Sequence, residues 1–388
     1  MGNYNQYEVK YNLITPTIRL LLQSTSLLQN FFAISYKPPN ISSLSFANAI
    51  KGGLKNMGFS VKKIGFGGTL DPFAQGMLIL GINGYTKLLP HLEKSYKTYR
   101  AVLFLGLESR SLDIENIVKI HKIAPFSNEN IHNAIKDIKG IITYKPPKFS
   151  AKHINGVRAY NLMRQGIEFD IKEIKTDIKK LEILNYSHPF LSFEVCVSEG
   201  GYVRSIGEMI ANNLGVYGSL CSLERIQEGR WHYYNMLKDY EANIRQNILD
   251  CINVPLHIHG INQNAKVILL NIKNALKYDT IQLTEYAKVA YNGAKFILNP
   301  SLCAKIFVDS PHRKVHDEPL AHDYMKHSQN IQAAHLESGY QNKEVCPNTP
   351  CKDSVSKVML ADFDTHFGII EVFRDGGVKY ILNRIDKC

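Results

Sequence analysis

One aspartate stands in a glycine-rich stretch where a carboxylate could do chemistry. The stretch from Gly65 to Gly81 has three glycines in its first four positions, and Asp71 is its only ionisable residue. Glycine accepts positive φ and carries no side chain, so the backbone here can turn sharply and let another molecule approach. The proline after Asp71 favours an extended backbone, and the apolar run from Gly76 to Gly81 predicts a buried strand. The pattern predicts one carboxylate at the edge of a core strand.

This stretch alone supports two interpretations, one structural and one catalytic. A Gly-rich Asp-Pro turn is commonly structural, with the aspartate capping the turn or facing solvent. A Walker-type phosphate loop is excluded, because no Gly-Lys-Ser/Thr sequence follows the glycines. The catalytic interpretation needs support from the rest of the chain.

The stretch resembles the signature of the tRNA pseudouridine-55 synthases, the TruB family. In that signature a Gly-His-x-Gly-x-Leu-Asp-Pro-x-Ala-x-Gly segment carries the nucleophilic aspartate. The matching positions are Gly65, Gly68, Leu70, Asp71, Pro72, Ala74 and Gly76. Phe66 replaces the usual histidine; it can stack or wedge, but it cannot hydrogen-bond. The resemblance implies that Asp71 is the catalytic nucleophile and that Phe66 contacts the substrate.

Two segments on either side of the glycine-rich stretch also resemble family motifs. Lys37 and Pro38 match a Lys-Pro pair that buttresses the active site, with Tyr36 in place of the preceding aspartate. Tyr99, within Lys-Thr-Tyr, matches the tyrosine that packs against the target uracil. The resemblance therefore implies substrate-binding roles for Lys37 and Tyr99, and Tyr99 is also a candidate base.

Two later segments complete the resemblance, which runs from about residue 31 to residue 231. Arg204, in Gly-Gly-Tyr-Val-Arg-Ser, matches the arginine that pairs with the catalytic aspartate. A cation at the start of the predicted helix 204–214 opposes the helix dipole and needs a carboxylate partner, which fits Asp71. Leu223 matches the leucine at the uracil pocket, and Glu224 follows it where the family usually has a basic residue.

The implied reaction makes a C-glycoside from uridine without net oxidation or reduction. We therefore expect neither a metal nor an organic cofactor. An ionised Asp71 in a water-poor pocket needs a neighbouring cation, because burial alone raises the pKa of a carboxylate. Arg204 is the candidate, and Tyr99 and Leu223 would supply an aromatic face and an apolar wall for a base taken out of its stack.

Two other functions stay open from the sequence. One is a tRNA-binding or tRNA-folding protein without catalysis, which the basic composition and Phe66 favour. The other is a member of the related guide-RNA-dependent group, which works inside a multi-protein particle. The retention of Asp71, Tyr99 and Arg204 favours the stand-alone enzyme, with no obligate protein partner.

Composition points to a polyanionic partner. In 388 residues, 46 Lys and Arg exceed 35 Asp and Glu, a formal charge of +11. This excess suits tRNA, although membrane-surface or ribosome-associated proteins share it. Seven scattered cysteines indicate reduced thiols. We find no secretory leader and no run of ~18 apolar residues that could span a membrane, so we expect a soluble, cytoplasmic protein.

Periodicity predicts an α+β fold, and the resemblance implies a mixed, mainly antiparallel sheet with flanking helices. We predict an N-terminal extension (1–30), a catalytic domain (31–250) and a small β-rich, reduced PUA-like RNA-binding domain (251–388). A polar insert at about 299–356 interrupts the last domain. Its histidines and its Cys346-x4-Cys351 pair lack the spacing of zinc motifs, so no metal site is predicted there.

Overall fold

The computed structural model describes residues 30–92, 96–150, 152–154, 156–241, 248–258, 260–270, 272–276, 278–292, 294, 296–308, 356–363 and 366–386. It divides into two compact units, one formed by Met1–Tyr278 with Ile385–Cys388 and the other by Asp279–Arg384. Residues 1–29 of the predicted N-terminal extension lie outside the described residues. So do residues 309–355 of the predicted insert, with its histidines and cysteines.

The first unit is built around one large sheet. Its strands and those of two small hairpins are β1 (Phe31–Lys37), β2 (Ile64–Phe66), β3 (Gln75–Ile82), β4 (Tyr96–Leu105), β5 (Leu107–Ser109), β6 (Ile117–Ile120), β7 (Gly140–Tyr144), β8 (His153–Ile154), β9 (Val157–Arg158), β10 (Ile174–Ser187), β11 (Phe190–Ser198), β12 (Gly218–Glu228), β13 (Trp231–His232), β14 (Ile248–Ile258) and β15 (Ile261–Leu270). In the part of the chain that the structure describes, the sheet has eleven strands in the order β14-β15-β1-β3-β12-β4-β11-β10-β7, with β2 paired to β3 and β13 to β12. Its described pairings are antiparallel except that of β3 with β12, which is parallel.

Helices flank this sheet. They are α1 (Ser43–Asn56), α2 (Asn128–Ile135), α3 (Ala159–Arg164), α4 (Val203–Asn213), α5 (Tyr233–Glu241) and α6 (Ile272–Ala275), with a 3-10 segment at Asn83–His91. A serine followed by apolar residues at helical spacing predicts a helix here, and the Ser42 side chain caps α1 by accepting from the Ser45 amide at 3.0 Å. A serine also caps α2, where Ser127 and Asn130 form a capping box.

Among the described residues, two hydrophobic cores stabilise the first unit. The first core joins α2 and α4 to strands β4, β10, β11 and β12, and it includes Leu70 and Phe73 from the Asp71 turn. The second core joins α1 to β1, β3, β14 and β15. The Asp71 turn, which connects β2 to β3, therefore has its apolar neighbours in the first core.

The second unit holds a separate four-stranded sheet. Its elements are β16 (Thr280–Gln282), α7 (Ala287–Tyr291), α8 (Pro300–Val308), β17 (Ser356–Asp362), β18 (His366–Phe373) and β19 (Val378–Asp386), with a 3-10 segment at Thr284–Tyr286. The strand order is β16-β17-β18-β19. Together with the large mixed sheet, this small β-rich unit confirms the predicted α+β fold class.

The division between the units differs from the sequence-based boundary at residue 250. Strands β14 and β15 form a hairpin whose second strand pairs with β1, from Phe32 opposite Leu270 to Ser35 opposite Val267. Ile252 and Val254 of this hairpin belong to the second core. The hairpin is thus part of the large sheet, and the compact unit continues to Tyr278. Within the described residues, no helix is long and apolar enough to cross a membrane.

Candidate active site

Asp71 lies in the turn between β2 and β3 and is fixed through its two neighbours. The Ser43 hydroxyl, at the start of α1, donates to the Leu70 carbonyl at 3.0 Å and accepts from the Leu70 amide at 2.9 Å. The Lys37 ammonium, at the end of β1, donates to the Pro72 carbonyl at 3.2 Å. Because the residues on both sides are anchored, the Asp71 side chain starts from a well-defined backbone.

The Asp71 carboxylate contacts the guanidinium of Arg204 at two points. Nε of Arg204 lies 2.9 Å from Oδ2 of Asp71, and Nη2 donates to Oδ1 at 3.2 Å. Arg204 is buried in the first turn of α4, where both desolvation and the helix dipole disfavour a cation. The bidentate contact offsets these costs and orients the carboxylate. The pairing expected from the sequence is present.

Asp113 is a second carboxylate on Arg204, and the sequence analysis missed it. Nη1 of Arg204 lies 3.2 Å from Oδ2 of Asp113 and donates to the Ser111 carbonyl at 2.7 Å, while Nη2 donates to the Phe149 carbonyl at 2.9 Å. The Ser111 hydroxyl donates to Asp113 Oδ1 at 2.5 Å. In sequence, the polar run 109–116 is typical of a solvated loop, so only the fold reveals that Asp113 is buried.

The two carboxylates differ in how far solvent can reach them. The Asp71 side chain is 34% exposed, whereas that of Asp113 is 2% exposed. Of the two, Asp71 is therefore the carboxylate that a bound molecule can reach. Burial raises the pKa of Asp71, the charge of Arg204 lowers it, and the charge of Asp113 raises it. The net pKa of Asp71 is raised by burial, and Arg204, followed by Lys37, is the main group that favours the ionised, nucleophilic form.

Tyr99 and Leu223 lie on the neighbouring strands β4 and β12, beside the Asp71 turn. Both are buried in the first core together with Leu70 and Phe73. Burial raises the pKa of the Tyr99 hydroxyl, and the charge of Asp71 acts on it in the same direction. The structure therefore brings Tyr99 and Leu223 to the apolar wall that carries the Asp71 turn.

Comparisons with known proteins identify the family. Residues 56–203 match the model described as TruB family pseudouridylate synthase (N terminal domain). The tRNA pseudouridine synthase B of Helicobacter hepaticus is 36% identical over 353 residues, covering 91% of this chain and 94% of that protein. The chain belongs to the TruB family of pseudouridine synthases. This confirms the family resemblance seen in the motifs.

Further TruB relatives come from Campylobacter jejuni. Two of its proteins, each named tRNA pseudouridine synthase B, are 41% identical over 273 residues and 47% identical over 269 residues, and each alignment covers 68% of this chain and 96% of the relative. Among solved structures, the archaeal box H/ACA sRNP Nop10-Cbf5 complex aligns over 68% of each chain at 19% identity with a TM-score of 0.43. The family assignment rests on the sequence relatives.

Lys37, from the Lys-Pro pair of the TruB pattern, has a structural role. It is fully buried, and its ammonium donates to the carbonyls of Pro38 and Ile41 at 2.8 and 2.7 Å as well as to Pro72. Burial lowers the pKa of Lys37 to about 8. With three backbone acceptors and no exposed surface, Lys37 supports the Asp71 turn in this structure. A substrate contact by Lys37 stays a prediction.

Phe66, which replaces the TruB histidine, lies at the end of β2, opposite Leu80. Its half-buried ring packs against the second core, whereas Tyr99 and Leu223 belong to the first. The structure therefore brings Asp71, Arg204, Tyr99 and Leu223 together, but it does not bring Phe66 into the same cluster. A substrate contact by Phe66 stays a prediction.

Two other departures from the TruB pattern contact each other. Tyr36 stands where the family has aspartate, and Glu224 stands where it usually has a basic residue. The Tyr36 hydroxyl donates to Glu224 Oε1 at 2.7 Å, and the Tyr234 hydroxyl donates to the same oxygen. A hydrogen bond thus joins β1 to β12 at this point, so each replacement suits the other.

Proposed function

We propose that this protein isomerises uridine to pseudouridine at position 55 in the T-arm of tRNA, with Asp71 as nucleophile. The observation that carries the proposal is the reachable Asp71 carboxylate, held at two points by the buried Arg204. Relatives in H. hepaticus and C. jejuni are named tRNA pseudouridine synthase B. The formal charge of +11 suits a substrate rich in phosphates.

The reaction rearranges the bonds of one nucleotide. The bond between ribose C1′ and uracil N1 breaks, the uracil turns, and C1′ joins to C5. A proton leaves C5 and a proton ends on N1, so atoms and electrons balance without an oxidant or a reductant. A carboxylate that bonds transiently to the ribose or to the base divides one difficult step into easier ones.

The described side chains fit distinct parts of this reaction. Arg204 orients Asp71 and favours its ionised form. The target base must leave its stack to reach Asp71, and Tyr99 and Leu223 supply an aromatic and an apolar surface beside the turn. Tyr99 is the candidate to remove the C5 proton. No step in this sequence calls for a metal or an organic cofactor.

The wider setting follows from the same proposal. A tRNA-modifying enzyme of this kind would work in the cytoplasm and as a stand-alone protein, without an obligate protein partner. The second unit, Asp279–Arg384, would be a reduced PUA-like domain that binds the acceptor side of the tRNA.

The proposal is tested with purified protein and an unmodified T-arm stem-loop RNA. Tritium released from 5-tritiated uridine measures the loss of hydrogen from C5, and a stem-loop with cytidine at the target position is the control. We expect release with no other RNA or protein added. Binding without release would favour the non-catalytic tRNA-binding alternative, and release only with added guide RNA would contradict the stand-alone enzyme.

A further inference from the structure

Charged side chains lie opposite each other on β4 and β12, next to Tyr99. In the register of these strands, Tyr99 is opposite Arg225 and Lys97 is opposite Glu228. The side chains of residues 97 and 99 lie on the same face of the sheet, because successive side chains along a strand point to opposite faces. The register shifts between Arg225 and Gln227, and such a bulge brings 225 and 228 to one face despite their spacing of three.

These charges form a buried network. Lys97, Arg225 and Glu228 are 8%, 1% and 0% exposed. Lys97 Nζ lies 3.5 Å from Glu228 Oε1, and Arg225 Nη2 lies 3.6 Å from Glu228 Oε2. Nε of Arg225 donates to the Met77 carbonyl at 2.8 Å. One carboxylate thus lies between two cations in the interior of the first unit.

The network is costly for stability alone. Buried ion pairs often contribute no more than apolar residues of the same size. Here the distances exceed 3.4 Å, and among the described residues neither Glu228 oxygen accepts a hydrogen bond. Such an arrangement suggests a role other than packing.

The glycine-rich stretch lies directly against this network. A Cβ placed on Gly68 would be 3.3 Å from Arg225 Nη1, 3.7 Å from Glu228 Oε1 and 3.8 Å from Lys97 Cε. Because Gly68 has no side chain, the backbone three residues before Asp71 packs directly against the charged network. The network contacts both the turn that carries Asp71 and the strand that carries Tyr99.

We propose that Glu228, acting through Arg225, is a positioning residue that fixes the Tyr99 hydroxyl and sets how readily it releases its proton. The inference deepens the proposed function, since it concerns the candidate base of that reaction. The charged groups that face Tyr99 are Arg225 and Glu228 of β12, Asp71 of the turn and Lys97, which shares its face of β4. Burial raises the pKa of Tyr99, the charge of Arg225 lowers it, and the charges of Glu228 and Asp71 raise it.

Removing the Glu228 charge should therefore make Tyr99 easier to ionise. In Glu228→Gln the charge of Arg225 acts on the hydroxyl without the opposing charge of Glu228, while Asp71 stays in place. We expect the ionisation midpoint of Tyr99 to fall by about one pH unit, a tenfold change in its proton equilibrium. The measurement is a 19F NMR titration of the full chain with 3-fluorotyrosine incorporated at position 99 alone.

The control is Glu194→Gln, which removes a carboxylate from another cross-strand pair of β4. Glu194 lies opposite Arg100 and contacts it at 3.1 Å, with the Arg100 side chain 48% exposed. This variant should leave the midpoint of Tyr99 at the wild-type value. A midpoint in Glu228→Gln equal to that of the wild type would overturn the inference.

Glu228→Gln leaves the buried cations Lys97 and Arg225 without their carboxylate partner. A second variant therefore keeps the inference testable if Glu228→Gln fails to fold. Lys97→Met with Glu228→Gln removes one cation together with the carboxylate and should still lower the midpoint, by less than Glu228→Gln alone because loss of the ammonium opposes the shift. The pH dependence of single-turnover pseudouridine formation should move to lower pH in both variants. If the wild type forms no pseudouridine, the proposed function fails, and the fluorine titration still decides whether Glu228 acts on Tyr99.

Discussion

At the scale of single residues, one guanidinium serves two carboxylates with different access to solvent. Arg204 makes contacts through Nε, Nη1 and Nη2, to Asp71 and Asp113 and to two backbone carbonyls. A planar fork can satisfy acceptors in several directions at once, whereas an ammonium is a point charge. The geometry at Asp71 therefore depends on arginine and not on positive charge alone.

Arg204→Lys is expected to reduce turnover about 100-fold, because an ammonium cannot reproduce the two-point contact that orients Asp71, and a misplacement of ~1 Å can cost about 10²-fold in rate. The affinity for the stem-loop should change little, since Arg204 is buried. Single-turnover rates and filter binding measure the two effects. Arg100→Lys, on the exposed face of β4, is the matched control. Near-normal turnover in Arg204→Lys would show that Arg204 is only structural.

The sequence predicted the contact between Asp71 and Arg204, because a family motif and the cost of a cation at a helix start pointed to the same pair. The cation at the start of α4 needed a carboxylate, and Asp71 supplies it. Asp113 and Glu228 could not be found this way, since a carboxylate in a polar run or at a strand end is usually solvated. Both carboxylates are buried against cations that are distant in sequence, Asp113 against Arg204 and Glu228 against Lys97.

At the scale of elements, the end of β1 and the start of α1 hold the Asp71 turn. Lys37 contributes by donating to Pro72, and Ser43 by bonding to Leu70. Local signals predicted β3 and α1, because an apolar run and a capping serine act within a few residues. The parallel pairing of β3 with β12 and the place of the β14–β15 hairpin depend on distant strands, so periodicity could not predict them.

Lys37 should make stability depend on pH in a specific window. Its pKa is about 8 in the folded protein against the ordinary 10.5, so between these values the unfolded chain holds a proton that the folded protein lacks. Stability therefore rises with pH there. Relative to Lys37→Met, the free energy of unfolding of the wild type should increase by up to about 1.4 kcal/mol per pH unit.

Urea unfolding at several pH values measures this difference. Lys55→Met, which replaces an exposed lysine in the last turn of α1, is the matched control. The rise should be seen from about pH 8 upward and should be absent below it, where both states keep the proton. A wild-type advantage that stays constant from pH 7 to 10 would contradict the lowered pKa of Lys37 in the folded protein.

At the scale of the whole molecule, two compact units carry different parts of the proposed function. The first contains Asp71 and the groups around it, and the second is proposed to bind the acceptor side of tRNA. The sequence predicts a small β-rich C-terminal domain from residue 251, whereas the second compact unit begins at Asp279. The sequence of the β14–β15 hairpin predicts β structure but not its partner strand. Its pairing with β1 assigns it to the first unit.

Binding of whole tRNA should weaken with salt more steeply than binding of the T-arm stem-loop. Each phosphate contact releases counterions, and 6–10 contacts cost roughly 10³–10⁵ in affinity between 50 and 200 mM salt. A second RNA-binding unit adds such contacts only when the acceptor side is present. Fluorescence anisotropy across a salt series measures both slopes. Equal slopes would mean that the second unit does not bind the RNA.

The most direct test of the account is the conversion of a T-arm stem-loop by Asp71→Asn. This change keeps the shape of the side chain and removes the nucleophilic carboxylate, while Arg204 retains Asp113 as a partner. We expect the variant to fold, to bind the RNA with wild-type affinity and to release no tritium from 5-tritiated uridine, whereas the wild type releases it. Pseudouridine formation by Asp71→Asn at a rate near that of the wild type would contradict the assignment of Asp71 as the nucleophile.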